Sequence, residues 1–144
     1  MFTGYFARLK EYEKRGLIPV AICAKVPDWY KGYHYPALAP KYDFFNEWKN
    51  GAHKGDDEYF IQHYKEEVLG KLYVQRVIDD LLKFGPLDKL VLVCYEKDGA
   101  FCHRHIVAEW FLSNNIGIIE FLLPEDFTGV IAALSQLQGE KTNG

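Results

Sequence analysis

No stretch of this 144-residue chain is apolar for long enough to cross a bilayer as a helix, which takes about 20 consecutive apolar residues. The opening residues, Met1-Phe2-Thr3-Gly4-Tyr5, lack a charged segment followed by an apolar one, so a secretory signal peptide is not expected there. Basic residues are not in excess: 17 Lys and Arg stand against 20 Asp and Glu, with a net charge of −3 and a pI of about 5.9. A long nucleic acid is therefore not an expected partner, although a local basic patch built in three dimensions is compatible with these numbers. Cysteine is scarce, with three residues, Cys23, Cys94 and Cys102. An odd, small number points to a reduced, cytoplasmic protein rather than to a disulfide framework. Neither a G-x-G-x-x-G string nor a P-loop occurs, so dinucleotide or nucleoside-triphosphate binding has no motif support. There is no internal repeat and no low-complexity segment. The length suits one domain over residues 1–138, with 139–144 as a polar, flexible tail.

Apolar residues make up 49% of the chain and aromatic residues 16%, enough for a substantial core. The stretch around which the rest is arranged is Leu90–Trp110, LVLVCYEKDGAFCHRHIVAEW. It opens as a buried-type strand, passes through a polar turn and ends as a helix. Such an arrangement puts the turn's side chains at the carboxyl end of a strand, where ligands of open α/β sheets usually bind. Before it, Phe2–Ala7 reads as a short strand and Leu9–Arg15 as a charged helix stopped by Gly16. Leu17–Ala24 reads as a second strand, apolar without alternation and so covered on both faces. Residues 25–42 hold Pro27, Gly32, Pro36 and Pro40 among many aromatics and read as a long irregular loop. Helices are expected over Asp43–Lys49, Asp56–Leu69 with an Asp cap, and Leu72–Phe84. A third strand spans Asp88–Cys94. The next helix is capped by Asp98 and runs to Asn114 or Asn115. A fourth strand, Ile116–Phe121, and a helix, Asp126–Gln138, complete the order. Strands alternating with helices predict a three-layer, Rossmann-like α/β domain with a mostly parallel sheet and helices on both faces.

Cys94-Tyr95-Glu96, followed by Phe101-Cys102-His103-Arg104-His105 and Ala108-Glu109-Trp110, resembles the DUF488 family, whose hallmark is Cys-x-Glu after an apolar strand and then Cys-His-Arg opening a helix. Tyr35-Pro36-Ala37-Leu38-Ala39-Pro40 is similar to a Tyr-Pro-x-Leu-Ala-Pro portion of some members. The resemblance implies an α/β domain and no settled activity. Where members often place Asp-x-Arg after the early strand, this chain has Ala24-Lys25-Val26-Pro27.

With Asp98 as cap, Cys102 would lie about one turn inside the helix, where free N–H groups and the helix dipole favour a thiolate and His103, Arg104 or His105 add positive charge. Glu96 would pair with Arg104 in a bidentate contact closing the turn. The competing reading makes Cys94 and Cys102 small buried residues and Glu96–Arg104 a structural brace. Zinc is not assigned: the spacing of Cys94, Cys102, His103 and His105 is not a usual ligand pattern, and successive helical residues point apart. A phosphatase-type loop fails as well, since it needs Cys-x5-Arg and nine residues separate Cys94 from Arg104.

The catalytic candidates are thus Cys102, as nucleophile or ligand contact, Arg104 as an anion clamp, Glu96 or His103 as the acid–base group, and Cys94 beside them. The ligand-contact candidates are Lys25, Trp29, Tyr30, Tyr33, Tyr95 and His105. Two function classes remain: an enzyme acting on a small anionic or nucleotide-like ligand, or a non-catalytic module that binds a ligand or nucleic acid by stacking and a phosphate grip. Neither a cofactor nor an oligomeric state is specified.

Overall fold

In the computed structural model, which describes residues 1–96 and 101–142, the strands are β1 (Phe2–Tyr5), β2 (Ile18–Ala21), β3 (Tyr33–His34), β4 (Leu90–Cys94) and β5 (Ile119–Glu120). The helices are α1 (Leu9–Lys14), α2 (Tyr42–Asn50), α3 (Asp57–Glu67), α4 (Val74–Leu82), α5 (His103–Ser113) and α6 (Thr128–Thr142), with short 3₁₀ turns between several of them. The strands form one sheet in the order β3-β2-β4-β1-β5, and every pairing is parallel. The expected strands over 17–24, 88–94 and 116–121 are all present, although each is shorter than the apolar run that announces it. β3 was not legible: its two residues sit in the aromatic loop, paired to Val20 and Ala21.

The local signals act as their chemistry suggests. Gly16, at φ 67°, ends α1 in the left-handed region where glycine is least penalised. Asp56 caps α3 by accepting the Tyr59 N–H at 3.1 Å. α6 continues to Thr142 rather than stopping at Gln138. Among the described residues, no helix is long and apolar enough to cross a membrane.

Strand alternation divides the interior into two layers. Val20, Ile22, Leu90 and Leu92 point to one face, where they pack with Tyr64 of α3, Val77 and Leu81 of α4, and Val107 and Phe111 of α5. Ala21, Cys23, Val91 and Val93 point to the other, against Tyr12 of α1, Phe6, Tyr30 and Phe121. This is the three-layer α/β architecture, and it has a consequence for the site. Tyr5 lies beside Cys94, and Thr3 lies between Leu92 and Glu120 in register. Thr3, Tyr5, Cys94 and Glu120 therefore share the face on which α5 lies.

Candidate functional site

α5 begins at His103, later than expected, and Cys102 is its N-cap with extended backbone (φ −153°, ψ 144°). The expected cap, Asp98, lies outside the described residues. The shift changes the geometry of the cysteine. Cys102 stands just before the helix rather than a turn inside it, so its side chain and that of His103 can aim at one point.

Cys94, the last residue of β4, meets it there. The two sulfurs are bonded as a disulfide at 2.21 Å, which corrects the expectation that all three cysteines are reduced. The reason is topological: a strand end and a helix start, eight residues apart in sequence, return to the same face of the sheet. Cys23 is the free thiol; it faces the opposite layer, and burial pushes its pKa up to about 11.

His103 is buried, with Nε2 2.8 Å from the Ile22 carbonyl oxygen and Nδ1 3.7 Å from Cys102 Sγ. A carbonyl only accepts, so Nε2 carries the proton and donates it, and the Nδ1 lone pair faces the sulfur. Burial, reinforced by nearby Arg104 and His105, lowers the ring's pKa to about 4 even though the Ile22 bond resists the shift. The imidazole is therefore neutral at ordinary pH, with an Nδ1 lone pair that only a reduced Cys102 thiol could donate to, and it is not a cation that stabilises a thiolate.

Arg104 has 0% exposure. Its Nε and Nη2 donate to the Glu120 carboxylate at 3.1–3.2 Å, and Nη1 donates to Cys94 Sγ at 3.1 Å and to the Glu96 carbonyl oxygen. The guanidinium carbon also lies 5.6 Å from the centre of the Tyr5 ring. Glu120 is held in turn by the Thr3 hydroxyl at 2.5 Å. The expected Glu96–Arg104 carboxylate pair is thus corrected. Arg104 touches Glu96 through its main chain, Glu96 is exposed, and the charge partner is Glu120. The sequence offered one faint signal for Glu120, a lone acid near the end of an apolar strand. With its N–H groups turned onto protein acceptors, Arg104 ties β4, β5 and α5 together and does not open to solvent as an anion clamp.

Of the aromatic candidates, Trp29, Tyr30 and Tyr95 gather around Phe6. Phe6, directly after β1, makes edge contacts with Trp29, Tyr30 and Tyr95 at 5.1–6.1 Å between ring centres. Trp29 is 61% exposed and Tyr95 51%, while Tyr30 is buried. The Tyr95 hydroxyl donates to the Lys25 carbonyl oxygen at 2.5 Å, tying the loop after β2 to the turn after β4. Tyr33 lies on Phe84, 4.8 Å between centres, away from that cluster. Lys25 and His105 are exposed at the carboxyl ends of β2 and the start of α5. Trp29 and Tyr30 also border an open groove of about 650 Å³ with Leu17 and Pro19, but it runs along α1 and the start of β2, and the sulfur pair does not line it. A smaller groove, about 270 Å³, lies between α3 and α5 around Lys65 and Trp110.

Taken together, Cys94 Sγ, Cys102 Sγ and His103 Nδ1 lie within 4.8 Å of one another, all buried. They form a sulfur–nitrogen cluster that Arg104 steadies from behind. No curated protein and no solved structure matches the chain. A family model described as the active DUF488-N3 subclade matches residues 6–115. The match covers β2, β3 and β4 and the whole cluster, and the chain belongs to the DUF488 family.

Proposed function

We propose that this protein is a thiol-dependent enzyme acting on a small anionic or nucleotide-like ligand at the carboxyl end of its sheet. The observation that carries the reading is the convergence of Cys94, Cys102 and His103 within 4.8 Å at the start of α5. Cys102 is the nucleophile in the reduced protein, where the N–H groups of the first helical turn favour its thiolate. His103 is a positioning residue: its Nδ1 accepts from the Cys102 thiol and sets the direction of the sulfur. Cys94, held by the Arg104 guanidinium, is the second sulfur, able to close onto Cys102 as the disulfide. The exposed faces of Trp29 and Tyr95 offer stacking surface, and Lys25 and His105 offer positive charge. A reducing compartment such as the cytoplasm is the setting in which the dithiol would persist.

The reading is tested by alkylating native, reduced protein over a range of pH with Cys23 and Cys94 replaced by serine. Cys102 is expected to react below the free-thiol value of about 8.5. Reaction only above that value, or only on unfolding, removes the nucleophile. The second reading, a non-catalytic module binding a ligand or nucleic acid, is favoured by the burial of both sulfurs, at 1% and 6% exposure. It would then rest on the exposed rings of Trp29 and Tyr95.

A further inference from the structure

We propose that reduced Cys94 and Cys102, together with His103, form a binding site for a thiophilic divalent cation of the Zn²⁺ class, whose remaining coordination position takes the anionic ligand. The inference rests on the reading above in one respect, that the dithiol is the working form of the pair.

Four features point to a metal. The first is donor geometry. Ligands of a tetrahedral zinc, at about 2.3 Å for sulfur and 2.0–2.1 Å for nitrogen, stand roughly 3.5 Å apart. Cys102 Sγ and His103 Nδ1 are 3.7 Å apart and all three donors lie within 4.8 Å; the two sulfurs, 2.21 Å apart in the disulfide, must separate on reduction to reach that spacing. Adjacent residues serve here because Cys102 is extended and His103 is helical, which brings the two side chains onto one point.

The second feature is the outer partner of each ligand. Metal-bound imidazoles generally donate their other N–H to a carbonyl or carboxylate. His103 does this to Ile22, which leaves Nδ1 as the ligating atom. Cys94 Sγ receives an N–H from Arg104 at 3.1 Å, the kind of contact that supports a bound thiolate.

Charge is the third. Two buried thiolates without a counter-ion are expensive to hold in a low-dielectric interior. The only buried cation beside them among the described residues, Arg104, is already neutralised by Glu120. A divalent cation balances the two thiolates and leaves the interior neutral.

The fourth is what the set lacks. No fourth His, Cys, Asp or Glu joins the three among the described residues. Three protein ligands with a position left for water or substrate is the pattern of catalytic rather than structural zinc. The metal would also supply the positive charge that Arg104, turned inward, does not offer to an anion. A soft S₂N donor set selects zinc, cobalt or copper(I) over magnesium or calcium.

Formation of the site balances simply. A phosphine reductant takes oxygen from water and becomes the phosphine oxide, and the disulfide gains the two hydrogens as two thiols. The metal then displaces both thiol protons.

The experiment uses the full chain, reduced with a phosphine, freed of metal and titrated with Co²⁺ under anaerobic conditions. The expected result is a thiolate-to-cobalt charge-transfer band with tetrahedral d–d bands, saturating at one equivalent and bleached by Zn²⁺. Cys23→Ser should keep the bands. Cys94→Ser and Cys102→Ser, folded by circular dichroism, should each lose them, and His103→Gln should weaken cobalt binding at least tenfold. The oxidised protein should bind no cobalt. Absence of the bands in folded, reduced protein overturns the proposal, as does their survival when both Cys94 and Cys102 are serine. The alkylation test, run in chelator, is separate. Low-pH reactivity of Cys102 without cobalt binding removes the metal and keeps the thiol enzyme, and cobalt binding with an inert Cys102 does the reverse.

Discussion

Replacing Glu120 by alanine should be among the most damaging single changes in this protein, and the damage should come from a charge left behind. Arg104 is completely buried, and the Glu120 side chain, 15% exposed, is its carboxylate partner through contacts at 3.1–3.2 Å. In Glu120→Ala the guanidinium stays in the interior with only the Glu96 carbonyl, the Cys94 sulfur and the Tyr5 ring as company. Removing one partner of a buried pair costs roughly 3–5 kcal/mol. Specific unfolding entropies for a chain of this size turn that into a fall in Tm of about 10–15 °C. Urea unfolding followed by circular dichroism measures the free energy, and a thermal melt checks it. Two companions isolate the cause. Glu96→Ala removes a carboxylate from the same turn but leaves the carbonyl that Arg104 uses, so its effect should stay within about 0.5 kcal/mol. Combining Glu120→Ala with Arg104→Met deletes the stranded charge and should recover part of the loss, because buried pairs are often replaceable by apolar side chains of similar volume. If Glu96→Ala is as harmful as Glu120→Ala, or the double variant is no more stable than Glu120→Ala alone, the assignment of Glu120 as the partner is refuted.

Two further predictions concern the rest of the fold. Asp126 receives both Arg8 Nη1 and Nη2 at 2.6 Å and the Leu123 N–H at 2.7 Å, and these hold its pKa near 2, down from 3.8. Because the folded value is the lower one, the pair's contribution is complete above about pH 4 and lost as pH falls toward 2; acid unfolding of Asp126→Asn should lack that part of the slope, and an unchanged slope would dismiss the pair. At Gly4, an added methyl would stand 2.1 Å from the Tyr12 hydroxyl and 3.0 Å from a Val91 methyl. Gly4→Ala should therefore lose about 1–3 kcal/mol in denaturant unfolding, and Tyr12→Phe in the same chain should return some of it by making room. A Gly4→Ala protein as stable as the parent would show that β1 and α1 are not packed this closely.

The chain's own patterning was enough to settle the class of fold. The unalternating runs Val20–Ala24 and Leu90–Val93 demand cover on both faces, and that demand alone calls for a parallel sheet between helical layers. Gly16 and Asp56 likewise act locally, through backbone freedom and a single capping bond, so their roles are visible without any distant partner. The Cys94–Arg104 segment stood out as the candidate site because its cysteines, acid, histidines and arginine are close together in the sequence. What the sequence left open depends on who meets whom across long separations. Arg104 could be matched by eye only to a neighbour, Glu96, whereas its partner Glu120 comes from another strand, brought beside Thr3 by the register of β1 and β5. The tautomer of His103 is set by the Ile22 carbonyl, 81 positions away. The meeting of Cys94, Cys102 and His103 turned on a shift of a few residues in where α5 begins. Helix ends are decided by marginal local energies that packing overrides, and that small displacement moved Cys102 from the wall of a helix to its mouth. Periodicity and capping are properties of neighbouring residues. Ion pairs, tautomers and ligand clusters are properties of a folded surface, and only the packing of α5 against the sheet decided them.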